Sequence, residues 1–271
     1  MAQVIDSVIN LRTPEVIQGF PESDFEQCNS EFKGMPLVDI ISQITEAGVE
    51  LGLLHASDSG RWGRNVPPHA VAQAAEKYPH QLVPGAVGVD PYKGMQSIRQ
   101  LEGYVKEYGF KALHFFPHWL ERPPNHAMYY PFYAKCVELD IPVFIQVSMP
   151  TQSFLKTQTR PQHIDEIATF FPELRIIGLH LGFPWLEEYM ALITKQPNLF
   201  MTTSGHPTDQ WEPKFTEFVN TTGQDQIIFG SAAPTVTGGI KGALSGIASQ
   251  NLSDVTNRKV LYENAVNLFK L

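Results

Sequence analysis

Histidines gather at the ends of apolar runs in this sequence. His55 closes VELGLLHA, His114 sits inside KALHFF with His118 soon after it, His180 is enclosed in RIIGLHLG, and His206 follows LFMTTSG. An imidazole titrates near neutral pH, so it suits general acid–base work and metal ligation alike. Other polar residues share these positions: Asn10, Ser57, Asp58, Arg61, Arg64, Asp90, Gln146, Ser148, Thr203, Ser204 and Ser231. The amides of Asn10 and Gln146 can hydrogen-bond a carbonyl or carboxylate. Arg61 or Arg64, in SDSGRWGRN, can grip a carboxylate through two parallel bonds. A lone histidine at a strand end is more often a hydrogen-bonded structural residue than a base. His180 stands out because HLGFPW joins it to a glycine and to a proline at the start of the next helix. His55 is weaker, its side chain being expected to face outward. His69, His80, His126 and His163 fall on helices or loops and are read as structural.

Residues so far apart act together only if folded elements bring them to one place. Short β-branched runs alternate with stretches of helical period from end to end. The predicted strands are residues 4–10, 49–56, 82–89, 111–116, 142–148, 175–182, 199–205 and 226–231, and helical segments such as LVDIISQITEAG, SIRQLEGYVKEYG and WLEEYMALITKQ lie between them. Eight βα repeats predict a (β/α)₈ barrel in one domain over residues 1–271. A doubly wound open sheet is the alternative, but neither GxGxxG nor GxxxxGK[ST] follows any strand. In a barrel, chemistry sits where strands end and βα loops begin. The longest irregular piece, residues 11–35, follows the first strand and is expected to be a functional loop or lid.

Composition limits the partners. The 271 residues are 43% hydrophobic, enough for one large core, with a net charge of -8 and a pI near 5.6. No basic run offers a surface to nucleic acid or an anionic membrane. The N-terminus lacks the pattern of a secretory signal, and no stretch of about 18 apolar residues occurs. These features predict a cytoplasmic protein whose partners are small molecules or another copy of itself. Cys28 and Cys136 are too far apart in sequence to suggest a thiolate metal site or a disulfide framework, and Cys136 reads as a buried helix residue.

The run FFPELRIIGLHLGFPWLEEYMALITKQPNLFMTTSG, followed by QIIFGSAAP and a terminal ENAVNLFKL, resembles the amidohydrolase-related family that includes aminocarboxymuconate semialdehyde decarboxylase and related aromatic-acid decarboxylases. YPHQLVPGAVGVDP, EYGFKALHFFP and YYPFYAKCVELDIPVFIQVS extend the resemblance over nearly the whole chain. It implies a barrel with a pocket at the C-terminal strand ends, often dimeric, that acts on small carboxylated or carbonyl compounds.

The resemblance also implies a divalent metal, held by a His-x-His pair on the first strand, histidines ending the fifth and sixth, and an aspartate ending the eighth. In this chain those positions are Val8 and Asn10, Gln146, His180 and Ala232, so one histidine survives. Valine and alanine donate nothing to a metal. His55, His114 and His180 form a conceivable alternative set. The expected protein is therefore a metal-independent enzyme without cofactor, performing a decarboxylation-like lyase step or a lactone opening. His180 and His114 would act as acid or base, and Asn10, Gln146, His55, Arg61, Arg64, Phe116, Trp185 and Ser231 would bind substrate. A noncatalytic barrel that binds a ligand or partner is a second reading, and a cyclase or isomerase that shapes its substrate among the aromatic rings is a third.

Overall fold

The computed structural model describes residues 3–18, 20, 34–150 and 155–271, and of Arg61 the backbone alone. Most of the segment 11–35, and with it any lid, lies outside the described residues, as does Cys28.

The apolar runs form strands β1 (Ile5–Asn10), β2 (Leu51–His55), β3 (Leu82–Pro84), β4 (Ala86–Gly88), β5 (Ala112–Phe115), β6 (Val143–Gln146), β7 (Ile176–Leu179), β8 (Leu199–Thr202) and β9 (Ile227–Ile228). Every neighbouring pair is parallel, in the orders β1-β2-β3 and β4 through β9. The third predicted strand is thus broken into β3 and β4 at Gly85. A Cβ there would stand 2.9 Å from that of Leu53, so only glycine lets the chain pass this close to β2. The two pieces stay one barrel stave, because Gly85 N–H donates to Leu54 O at 2.8 Å and Lys111 N–H donates to Gly85 O at 2.8 Å.

The eighth predicted strand shrinks to two ladder residues because side chains intercept its backbone. Gly230 N–H donates to Thr203 Oγ1 at 3.1 Å and Ser231 N–H donates to Asp6 Oδ1 at 2.9 Å. The chain still closes on β1: Ser7 N–H donates to Phe229 O at 3.0 Å, and Asn10 N–H donates to Ala233 O at 2.8 Å. The barrel is complete, as the alternation predicts.

Two apolar layers hold it. Inside, Ile5, Val8, Leu53, Ala112, Phe144, Ile177 and Ile228 meet across the barrel axis, and the C-terminal helix Asn264–Phe269 packs against them with Leu268 and Phe269. The rings of Phe144 and Phe269 stack at 5.7 Å, closing the end away from the strand tips. Outside, residues such as Ile9, Leu54, Val87, Leu113, Val143 and Ile145 face the surrounding helices. The π turn Lys259–Glu263 before the last helix lets Val260 O accept the N–H of Phe229 at 2.8 Å. No helix among the described residues is long and apolar enough to cross a membrane.

Candidate active site

With one end plugged, the strand tips surround a cavity of about 460 Å³. Val8 and Asn10 from β1, His55 from β2, His114 and Phe116 from β5, Gln146 from β6, His180 from the end of β7 and Ala232 after β9 all line it. Alternation along each strand explains this: Val8 and Asn10 are two apart, as are His114 and Phe116, so each pair shares the inner face. Arg12, Arg64 and His206 join from the loops, and His118 and Trp119 from the short helix Pro117–Leu120.

His180 sits where β7 breaks into a turn, at φ 61, followed by Leu181 at φ 55, and Ala232 across the mouth is at φ 60. Left-handed backbone outside glycine costs energy and gathers at functional sites. His180 Nδ1 lies 2.8 Å from Ser204 O. A carbonyl can only accept, so the ring proton is on Nδ1 and the lone pair on Nε2. Burial holds this imidazole below its usual range, hence neutral.

Three more imidazoles are kept neutral by burial. His55 is brought down to about 4; its Nε2 lies 2.9 Å from Ser7 O, and its Nδ1 is buried with no hydrogen-bond partner. It lines the cavity rather than facing outward, because β1 supplies the carbonyl that turns the ring inward. His114 falls well below the ordinary range; its ring lies 3.8 Å from that of Phe116 and 5.5 Å from that of His55, and both its nitrogens are buried without partners. His118 is brought down to about 3, by burial first and then by His180 and the Arg64 guanidinium. At the rim, the Arg64 guanidinium stands 4.9 Å from the Trp119 ring, and Arg12 and Arg64 each lie 5.8 Å from the ring of Phe20.

The amides are fixed by their neighbours. Asn10 Nδ2 donates to Ala232 O at 2.9 Å, and Gln146 Nε2 donates to Ser148 Oγ at 3.3 Å. Two expected substrate contacts are not brought to the cavity. Ser231 is buried behind the strand ends, where its Oγ accepts Ala233 N–H at 2.9 Å and so braces the turn. Trp185 stands outside the lining, with the Arg160 guanidinium 5.9 Å from its ring. The side chain of Arg61 lies outside the described residues. Arg12 and His118 were not among the expected contacts; Arg12 follows Asn10 by two residues at the end of β1, which is the signal that marks it.

The described residues do not fit a divalent metal. Val8, Asn10, Gln146, His180 and Ala232 do converge on one cavity, yet His180 alone among them is a strong donor. The alternative set fails too. The rings of His55 and His114 meet edge to face, and among the described residues no group of three or more His, Cys, Asp or Glu side chains is arranged to hold an ion.

Comparison with known proteins fits this picture of the fold. The amidohydrolase family matches residues 43–271. No curated protein sequence matches the chain. Among solved structures, an uncharacterized TIM-barrel protein from Bordetella bronchiseptica is 22% identical, covering 99% of this chain and 98% of its own, at a TM-score of 0.78. The 5-carboxyvanillate decarboxylase of Novosphingobium aromaticivorans, solved with bound manganese, is 18% identical over 100% of this chain and 97% of its own, with a TM-score of 0.76. A probable 2-pyrone-4,6-dicarboxylic acid hydrolase from Acinetobacter baumannii, with citric acid bound, is 15% identical over 99% and 100%, with a TM-score of 0.72. The family match takes in β2 to β9 and leaves out only β1 and the residues up into the helix before β2: the chain belongs to the amidohydrolase family.

Proposed function

We propose that the protein is a metal-independent enzyme acting on a small carboxylated compound, with His180 as the acid–base group. The observation that carries this reading is the lining. The cavity of a chain with net charge -8 is faced by Arg12, Arg64 and five histidines, and by no Asp or Glu among the described residues. A lining of this kind favours an anionic ligand over a cationic one. Asn10 and Gln146 supply hydrogen bonds to a carbonyl or carboxylate oxygen, and Arg64 pairs with a carboxylate. Phe116 and Trp119 give the walls for a flat or apolar body.

The protonation of His180 selects among reactions. With its proton committed to Ser204 O, Nε2 is a base, ready to take a proton from water as the oxygen attacks a lactone carbonyl. Oxygen–carbon bond formation, transfer of the water proton to Nε2 and departure of the ring oxygen complete the opening once that proton is returned. Decarboxylation is the second reading. There His180 enters protonated and delivers the proton to the carbon that has lost carbon dioxide. His114, in the same wall, is the second candidate for proton handling.

The test is turnover of a panel of pyrone and aryl carboxylic acids after exhaustive chelation. Activity should survive the chelator and fall at least about a hundredfold in His180→Gln, the usual size of one acid–base contribution. Activity lost on chelation and restored by manganese would overturn the metal-free chemistry. Saturable stabilisation by the same acids without any turnover would establish a binding protein instead.

A further inference from the structure

Alternation alone would send Ile5, Ser7 and Ile9 of β1 to the inner face, yet Ile5 and Val8 meet there across the barrel axis and Ile9 packs against the outer helices. The parity changes at a β-bulge. Asp6 stands opposite Gly52 and Ile9 opposite Leu54, so two residues, Ser7 and Val8, answer to Leu53 alone. One extra residue turns every later side chain to the other face, which is how Val8, Asn10 and Arg12 come to line the cavity.

A bulge leaves backbone groups that must find partners outside the ladder, and Asp6 supplies them. Its Oδ1 accepts the N–H of Val8, two residues on, at 3.1 Å. The same oxygen accepts Ser231 N–H at 2.9 Å, across the seam where the barrel closes. Asp6 and Ser7 are both 0% exposed, so solvent does not compete for these amides. The seam carries the geometry into the cavity wall: Ala232 N–H donates to Val8 O at 2.9 Å, and Asn10 Nδ2 donates to Ala232 O at 2.9 Å. The bulge also aims Ser7 O at His55, whose Nε2 lies 2.9 Å away. A carbonyl only accepts, so Nε2 carries the ring proton. We propose that Asp6 is a positioning residue for the cavity: by holding the Val8 and Ser231 amides it fixes the bulge, and through the bulge it presents Val8 and Asn10 to the ligand and locks His55 in its Nε2–H tautomer. Asp6 itself stands outside the lining. The inference rests on the carboxylated-ligand reading only for the choice of ligand in its test, and the His55 ring is read without one.

Imidazole nitrogen NMR of the full chain without ligand, joined to calorimetric binding of benzoate, tests it in Asp6→Asn and Asp6→Ala. Asparagine keeps an oxygen acceptor in the same place, so Asp6→Asn should show the wild-type His55 signals and bind benzoate within about twofold of the wild type. Alanine leaves both amides unmet. Asp6→Ala should show a His55 ring exchanging between tautomers, and should bind benzoate about tenfold more weakly, the size of one hydrogen bond lost with Asn10. A folded Asp6→Ala with a single Nε2–H tautomer and unchanged binding overturns the proposal, because a purely structural role lowers stability and leaves the ring as it is. So does an Asp6→Asn that behaves as Asp6→Ala does. Failure of benzoate to bind even the wild type overturns the carboxylate reading, and the His55 ring still decides the part played by Asp6. Should Asp6→Ala not fold, couplings across hydrogen bonds in the wild type decide. The Val8 and Ser231 amide nitrogens must couple to the Asp6 carboxyl carbon while His55 shows the Nε2–H tautomer, and the absence of either refutes the proposal.

Discussion

His180 can serve as a base only while its ring keeps its present direction, and two neighbours control that direction. Ser204 O takes the Nδ1 proton, and Gly205 leaves room beside it: a Cβ on Gly205 would stand 2.3 Å from His180 Nδ1. Gly205 is also at φ 69, where a side chain strains the backbone. Gly205→Ala should therefore swing the imidazole away from Ser204 and lower turnover by at least about tenfold, a loss beyond what its stability change explains. A variant that folds, stays active and still shows a neutral ring protonated at Nδ1 by nitrogen NMR would contradict this. At Ala232 the question is the missing carboxylate. Its φ of 60 suits aspartate better than most residues, so Ala232→Asp should fold with little added strain. It should still hold no stoichiometric manganese or zinc by elemental analysis, since Val8, Asn10 and Gln146 supply no imidazole. Metal at one equivalent would refute the assignment of the donor set.

At the scale of elements, the βα alternation made the barrel legible, because period 2 and period 3.6 leave different apolar patterns. Places where one contact overrides the pattern were not legible. The break at Gly85 depends on how near β2 passes, and the brevity of β9 depends on Asp6 and Thr203, far away in sequence. The site was readable to the same degree. Asn10, His114, Gln146 and His180 follow from strand ends, whereas His55 was expected to face outward and is turned inward by its contact with Ser7 O. Which loop residues lean over the mouth, and that Ser231 and Trp185 turn away, depends on backbone hydrogen bonds that no local pattern encodes. One such contact gives a sharp test. Gly178 on β7 lies under Tyr189, whose Oη donates to Phe200 O at 2.7 Å, and a Cβ on Gly178 would come within 2.1 Å of that oxygen. The ring is fully buried and has nowhere to go. Gly178→Ala should cost about 3 kcal/mol in denaturant unfolding, the upper range for overpacking. A change below about 0.5 kcal/mol, the scale of a surface substitution, would show that β7 and the helix Leu186–Lys195 are less tightly joined than these distances imply.

For the whole molecule, four imidazoles held neutral beside one cavity make stability depend on pH in a particular direction. In the unfolded chain a histidine titrates near 6.5, whereas folding brings His55 down to about 4 and His118 to about 3, and His114 falls well below the ordinary value. As pH drops below 6.5 the unfolded chain therefore binds protons that the folded one refuses, and stability is lost. Asp6 acts oppositely. It is fully buried, with Oδ1 accepting Val8 and Ser231 N–H and Oδ2 without a partner, and burial raises it from 3.8 to about 6. Between those values the folded protein holds a proton that the unfolded chain has released, so Asp6 adds stability as the pH falls through 6. Near pH 5 the three histidines outweigh the one carboxyl, and these groups together should lower stability by about 3 kcal/mol per pH unit. His180, lowered by the same burial, adds to the loss. Urea unfolding at pH 7, 6 and 5 measures the slope directly. Stability that holds level or rises toward pH 5 would mean that the cavity imidazoles already carry protons in the folded state, and His180 would then enter its reaction as an acid instead of a base.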